Sequence, residues 1–489
     1  MHRFEPVIGL EIHAQLGTQS KIFCGCSASF GAAPNTHVCP VCLGLPGALP
    51  VLNRAAVDDA IRAALSLGCS IQPTSVFARK NYFYPDLPKG YQISQYEQPL
   101  ATDGVIRARS DYWVPDSDIR IKRVHLEEDA GKLLHDGFLD SGRKSYVDLN
   151  RAGVPLIEIV TEPDFHGKDA PKAAAAFFGY VRELLMRIGV NDGNMEEGSL
   201  RCDANVSVRL AGTAELGTKA EIKNLNSFRF VEKAIEHEIA RQIEVLSEGA
   251  RVLQETRLWD ADAGRTFSMR SKEEAHDYRY FPEPDLPPVL APEERVEAVR
   301  SAIPELPAAW RRRLIAQYAL SEIDTVTLTQ IRPAVGRYFE DVVKAGADPK
   351  LVKNWVLGAV SAKLNELGTD DVARLEASIP APRLAGLLAL IERGTISGSI
   401  AKDVFETMFA TARAADDIVA AEGLTQIDDE ARIAGMVADV LARNSDAVAQ
   451  YRAGKTAALG FLVGQAMRAG GGKINPRRVN ELLKRALES

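Results

Sequence analysis

The first sixteen residues set a two-residue rhythm. In Val7-Ile8-Gly9-Leu10-Glu11-Ile12-His13-Ala14-Gln15-Leu16, the even positions from Ile8 to Leu16 are apolar. Glu11, His13 and Gln15 occupy the odd positions. Side chains of a strand alternate between its faces, so this run predicts a β-strand with one core face and one polar face. A carboxylate and an imidazole then stand roughly 7 Å apart on the same side. The rhythm recurs. Val124–Asp129 puts His125, Glu127 and Asp129 on one face, with Glu128 between them in sequence. Leu200–Arg209 aligns Arg201, Asp203, Asn205, Ser207 and Arg209, and Lys219–Lys223 aligns Lys219, Glu221 and Lys223. Leu156-Ile157-Glu158-Ile159-Val160 carries a single acid in an apolar strand.

Beyond residue 293 the period lengthens to that of helices rich in Ala, Leu, Arg and Glu. Between the two regimes, Pro282, Pro284, Pro287, Pro288 and Pro292 fall within eleven residues. Such a run is stiff and extended, as a connector is. A second break is Thr395-Ile396-Ser397-Gly398-Ser399. The expectation is an α+β chain: a mixed or antiparallel sheet domain over 1–293, a helical domain over 294–405 and a small helical tail over 406–489. The last helix opens at Asn475-Pro476, an N-cap followed by a first-turn proline. Val479, Leu482, Leu483, Ala486 and Leu487 form its apolar stripe.

Charge sharpens this division. The 489 residues carry a net charge of −7, yet the final 39 hold eight basic residues against two acidic ones. Lys473, Arg477, Arg478, Lys484 and Arg485 belong to that tail. They read either as a solvated helix face or as contacts to a nucleic-acid backbone. No apolar run nears the ~20 residues of a membrane span, and the N-terminus lacks a signal-peptide core. A cytoplasmic protein is expected, with its six cysteines reduced or metal-bound.

Two chemistries stand out. One strand's wet face is ordinarily just that, solvated and functionless. Here several strands bring Glu and Asp together with His, Asn and Gln. Clustered carboxylates repel one another unless a cation or a shared proton intervenes. This composition points to a Mg²⁺ site serving phosphoryl transfer. No Gly-x-x-x-x-Gly-Lys-Ser/Thr loop occurs, so any ATP is held in a less common way. The other chemistry is Cys24-Gly25-Cys26 followed by Cys39-Pro40-Val41-Cys42. Two close thiol pairs suit a tetrahedral, structural Zn²⁺, with His37 as an alternative ligand. Cys69 and Cys202, in apolar contexts, read as core.

Several blocks carry a resemblance. VIGLEIH (7–13), RKNYFYP (79–85), GYQISQ (90–95), HLEEDAGK (125–132), VDLNRAGVPLIEIVTEP (147–163), MEEGSLRCDANV (195–206), KAEIKNLNSF (219–228), DYRYFPEPD (277–285) and NPRRVNELL (475–483) stand in one order over nearly the whole chain. They resemble the GatB family, the B subunits of aspartyl/glutamyl-tRNA amidotransferases. The resemblance implies a cradle, a helical and a tail domain. It implies ATP-dependent phosphorylation of the side-chain carboxylate on a misacylated Glu-tRNA(Gln) or Asp-tRNA(Asn), followed by amidation. On this reading Glu11, His13 and Glu128 are expected as Mg²⁺ ligands, with Glu127, Asp203 and Glu221 beside them. Lys80, Tyr82 and Lys219 are expected near nucleotide, acyl group or ammonia. The chain has no recognisable glutaminase motif, and the resemblance supplies an amidase A subunit and a small C subunit. Two rival readings are a tRNA-binding scaffold without catalysis and an amidoligase acting on a free small molecule.

Overall fold

The computed structural model describes residues 4–107, 118–135, 140, 143–271, 275–369, 371–425, 430–453, 455–470 and 476–488. The chain divides into two compact units, Met1–Ala309 and Trp310–Ser489.

The first unit is built on a ten-stranded sheet. Its principal strands are β1 (Phe4–Gln15), β4 (Ala101–Ile106), β5 (Ile119–Glu128), β6 (Pro155–Thr161), β7 (Leu200–Leu210), β8 (Ala220–Lys223), β9 (Glu255–Asp260) and β10 (Arg265–Ser271). Two further strands, β2 (Phe77–Asn81) and β3 (Tyr91–Gln95), belong to a separate small sheet. The main order is β10-β9-β8-β7-β1-β6-β5-β4. Only β8 and β9 pair in parallel among these neighbours. The expected alternation appears as burial: Ile8, Leu10, Ile12 and Ala14 are wholly buried, whereas Glu11, His13 and Gln15 are not. Helices Arg54–Ser66, Ala170–Arg187 and Phe228–Ser247 supply the other half of that core. They start at an Asn53 cap, a first-turn Pro171 and a Ser227 cap.

The small sheet lies against the end of β5. There Gln92 Nε2 donates to the Glu128 carbonyl at 2.7 Å and Gln95 Oε1 accepts from the Leu126 amide at 3.1 Å. The proline-rich segment is extended at Phe281–Pro282 and Val289–Leu290 and turns between them at 284–286. It does not hang free: Phe281–Pro282 pairs with β2, and Val289–Leu290 pairs with Thr74–Ser75. Proline lacks an N–H, so both pairings are short edge contacts. Arg79 then clamps the segment through two hydrogen bonds to Glu283, at 2.7 and 2.8 Å.

The second unit is helical and holds two apolar clusters, one from Trp310 to Val419 and one from Ile433 to Leu487. Ser397 caps the helix Gly398–Thr411. The last helix, Pro476–Glu488, buries Val479, Leu483 and Leu487 and leaves Arg478, Lys484 and Arg485 exposed. Lys473 lies outside the described residues, as does the side chain of Arg477. Among the described residues, no helix is long and apolar enough to cross a membrane.

Candidate functional site

Strand register creates the site. His125 on β5 pairs with Glu158 on β6, Glu158 pairs with His13 on β1, and His13 pairs with Arg201 on β7. Four polar side chains therefore cross four adjacent strands in one row, on the face away from the helices. Glu127, one repeat further along β5, joins them. His13, Glu127 and Glu158 bring potential ligand atoms within 4.8 Å of one another. His125 Nε2 lies 3.0 Å from Glu158 and 3.7 Å from Glu127. His13 Nε2 lies 3.7 Å from Glu158 and 3.9 Å from Glu127. Ser94 of β3 donates to Glu127 Oε2 at 3.0 Å.

These acids are almost fully buried, with Glu127 at 3% and Glu158 at 9% exposure. Burial alone would favour neutral carboxyls. The two histidines outweigh it and hold both carboxyls below the usual range, Glu158 most strongly. Burial opposes charge on His125 as well, but Glu158 and Glu127 raise it to about 9. Glu127 and Glu158 are thus kept as anions. The His125 Nδ1 is buried without a hydrogen-bond partner.

Aromatic and basic groups of the small sheet face this row. The Lys80 ammonium lies 4.8 Å from the centre of the Tyr278 ring and 5.9 Å from that of Tyr82. Burial would lower its pKa, but Tyr280, Glu127 and Glu158 raise it above the ordinary lysine value. Tyr82 packs edge-on against Tyr84 and Tyr278, and burial raises its phenol well above the usual value.

A second acidic group continues the face toward β8. Glu11 pairs across strands with Asp203, and Asn205 pairs with Glu221. Asn205 donates to Glu11 at 2.8 Å. Lys223 reaches Asp203 at 2.5 Å and Glu221 at 3.4 Å. Its pKa rises, because those acids outweigh the opposing effect of burial.

The expected site residues thus fall into distinct places. His13 and Glu127 meet in the row, facing Lys80 and Tyr82. Glu11, Asp203 and Glu221 gather one repeat away. Glu128 does not join either group. It points from the opposite face of β5, where Lys89 pairs with it and the Ile93 amide donates to it at 2.9 Å. Lys219 is exposed just before β8, and Lys223 is the cation inside the acidic group. Glu158 and His125 complete the row although neither was expected as a ligand. Their signal was a charged residue in an otherwise apolar or buried-looking strand, which needs a partner to be tolerated.

The four thiols of Cys24, Cys26, Cys39 and Cys42 also lie within 4.8 Å of one another, and all six cysteines are free. The Cys39 amide donates to Cys42 Sγ at 3.1 Å. A hydrogen bond from Cys24 lowers Cys42 to about 4, and the buried Lys21 adds to this. Four converging thiols match the donor set of a closed Zn²⁺ site. The acid row offers two carboxylates and one imidazole, with further oxygens one repeat away, a donor set that fits a hard divalent cation.

Residues 6–297 match the family model described as the GatB/GatE catalytic domain, and residues 337–487 match the GatB domain. The chain is 53% identical to the aspartyl/glutamyl-tRNA(Asn/Gln) amidotransferase B subunit of Thermodesulfovibrio yellowstonii, covering 99% of this chain and 100% of that protein. It is 53% identical to the protein of that name from Myxococcus xanthus, covering 99% and 98%, and 52% identical to that of Geobacter sulfurreducens, covering 99% of both. The chain belongs to the GatB family.

Proposed function

We propose that this chain is the B subunit of a cytoplasmic tRNA-dependent amidotransferase, and that the row His125–Glu158–His13 with Glu127 is the centre of its chemistry. Family membership supports the carbon–nitrogen ligase activity. The observation that carries the site is the convergence of ionised acids and imidazoles from three strands under Lys80.

The substrate is a tRNA misacylated with Glu or Asp. Its side-chain carboxylate is a poor electrophile. Attack of a carboxylate oxygen on the γ-phosphorus of ATP forms an acyl phosphate and releases ADP. Ammonia then adds to the acyl carbon, and phosphate leaves with the former carboxylate oxygen. Lys80, held as a cation, attracts both anionic partners. The histidines keep Glu127 and Glu158 ionised and fixed in place. Mg²⁺ held by His13, Glu127 and Glu158, with Glu11, Asp203 and Glu221 nearby, would screen the two anions from each other. Zn²⁺ on Cys24, Cys26, Cys39 and Cys42 would pin the loop after β1. Ammonia comes from an amidase A subunit, held with a small C subunit in a heterotrimer. Arg478, Lys484 and Arg485, together with Lys473 and Arg477, would contact tRNA phosphates from the tail over 406–489.

The test uses the reconstituted complex. It is supplied with Glu-tRNA(Gln) or Asp-tRNA(Asn), ATP and glutamine, and the aminoacyl group is analysed after deacylation. Gln or Asn should appear only with ATP. Amide formed without ATP, or none on either tRNA, would refute the reading.

A further inference from the structure

Away from the acid row, the first unit holds a cavity of about 610 Å³ that the chemistry above does not use. One wall is helix Phe228–Ser247, on which Arg229, Lys233, Glu236 and His237 follow one another along a single face. Another is the turn joining β9 to β10, with Asp262. Trp259 of β9 also lines the space. It belongs to the core shared with the helices, so the cavity lies on the side of the sheet opposite the row. Arg229 and Lys233 are exposed, and among the described residues neither pairs with an acid. Trp259 is only 3% exposed, yet its indole N–H is buried with no acceptor. Buried donors ordinarily have one. Burial holds His237 below the usual imidazole value, and Arg257, Arg241 and Arg265 lower it further against Glu238. Its ring is then neutral at pH 7, able to donate one hydrogen bond and accept another.

Two unpaired cations and an unsatisfied N–H around one cavity call for an anion rich in acceptor oxygens. Phosphate supplies them, since guanidinium and ammonium groups both bind it. Glu236 and Asp262, both exposed, restrict what the phosphate can be attached to. A continuous nucleic-acid backbone would press further phosphates against these acids. A single phosphate on a hydroxyl-bearing frame would not, because carboxylates accept hydrogen bonds from hydroxyls. We propose that this cavity binds a small phosphorylated molecule of the sugar-phosphate or mononucleotide class. Its phosphate meets Arg229, Lys233 and the Trp259 N–H, and its hydroxyls turn toward Glu236 and Asp262. The site is separate from the reacting centre and does not rest on the amidotransferase reading.

The test titrates the reconstituted complex with ribose 5-phosphate in a calorimeter. Saturable binding should appear in the parent, and plain ribose should bind far more weakly. Arg229→Gln combined with Lys233→Gln should weaken binding about tenfold or more, the scale of losing charge-assisted hydrogen bonds. Trp259→Phe, which removes the N–H and keeps an aromatic ring, should weaken it several-fold. Inorganic phosphate that binds as tightly as ribose 5-phosphate assigns the site to the free anion, and weaker binding assigns it to the ester. Amide formation and thermal unfolding of the double variant should match the parent, because the cations lie outside the reacting centre and the core. Absence of saturable binding, or equal binding in parent and double variant, overturns the proposal. So does a double variant whose one defect is a raised KM for charged tRNA, which would make these cations an RNA contact.

Discussion

Glu127 and Glu128 are neighbours in sequence and equally buried at 3% exposure, yet they sit in opposite environments. Glu127 turns to the open face, where two imidazoles and Ser94 meet it and Glu158 crowds it. Glu128 turns to the other face, where one ammonium and one backbone amide satisfy it. The first is an electrostatically loaded site whose repulsion the imidazoles offset. The second is a paired charge that fastens β3 to β5. Identical chemistry and identical burial do not imply identical function. The side of the pleat decides which partners a carboxylate meets.

Substitutions on the two faces would break or sharpen that contrast. The largest effect is expected for Glu158→Gln and Glu127→Gln, which keep shape but remove charge. Each should lower kcat for amide formation by about 10²–10³-fold, the usual scale for removing a preorganised electrostatic contact, with little change in thermal stability. Equal activity in rapid-quench assays would remove both residues from the chemistry. Glu128→Ala should act instead on folding, because it leaves Lys89 uncompensated. A loss of about 3 kcal/mol is expected from denaturant unfolding. Glu128→Ala combined with Lys89→Met should recover most of it, and a double variant as unstable as the single one would contradict the pairing.

How much of this was readable beforehand follows from the same contrast. Period-two alternation located β1, β5, β6 and β7 and assigned Glu11, His13 and Glu127 to one polar face. Glu128 was expected as a Mg²⁺ ligand with Glu11 and His13, and its pairing with Lys89 was not legible. The row itself was not legible. Glu158 meets His13 across 145 positions of sequence, and only the antiparallel register of β1 with β6 aligns them. Lys223 shares its face with Lys219, but only the structure shows that the strand begins after Lys219. The proline run was legible as a break between the sheet and the helices, but its turn at 284–286 was not. Its pairing with β2 was not, since edge pairing depends on what lies alongside.

Smaller effects test the outlying regions. Cys42→Ser, or incubation with a strong Zn²⁺ chelator, should lower the unfolding midpoint by several degrees, as expected when a structural metal is lost. Metal analysis should give one zinc per parent chain. An unchanged midpoint together with absent zinc would leave the thiols without a metal role. Replacing Arg478, Lys484 and Arg485 by Ala should raise KM for charged tRNA several-fold and flatten its salt dependence. Removing each phosphate-binding cation should lower the log–log slope by about one. An unaltered slope would make these residues a solvated helix face.

The most direct test of the account is cation binding by the row itself. Mn²⁺, which electron paramagnetic resonance detects, can be titrated into the reconstituted complex. Saturable binding should appear in the parent and persist in Glu128→Gln, and it should vanish in Glu158→Gln. Binding that survives Glu158→Gln but is lost with Glu128→Gln would place the cation on the other face of β5 and contradict the site described here.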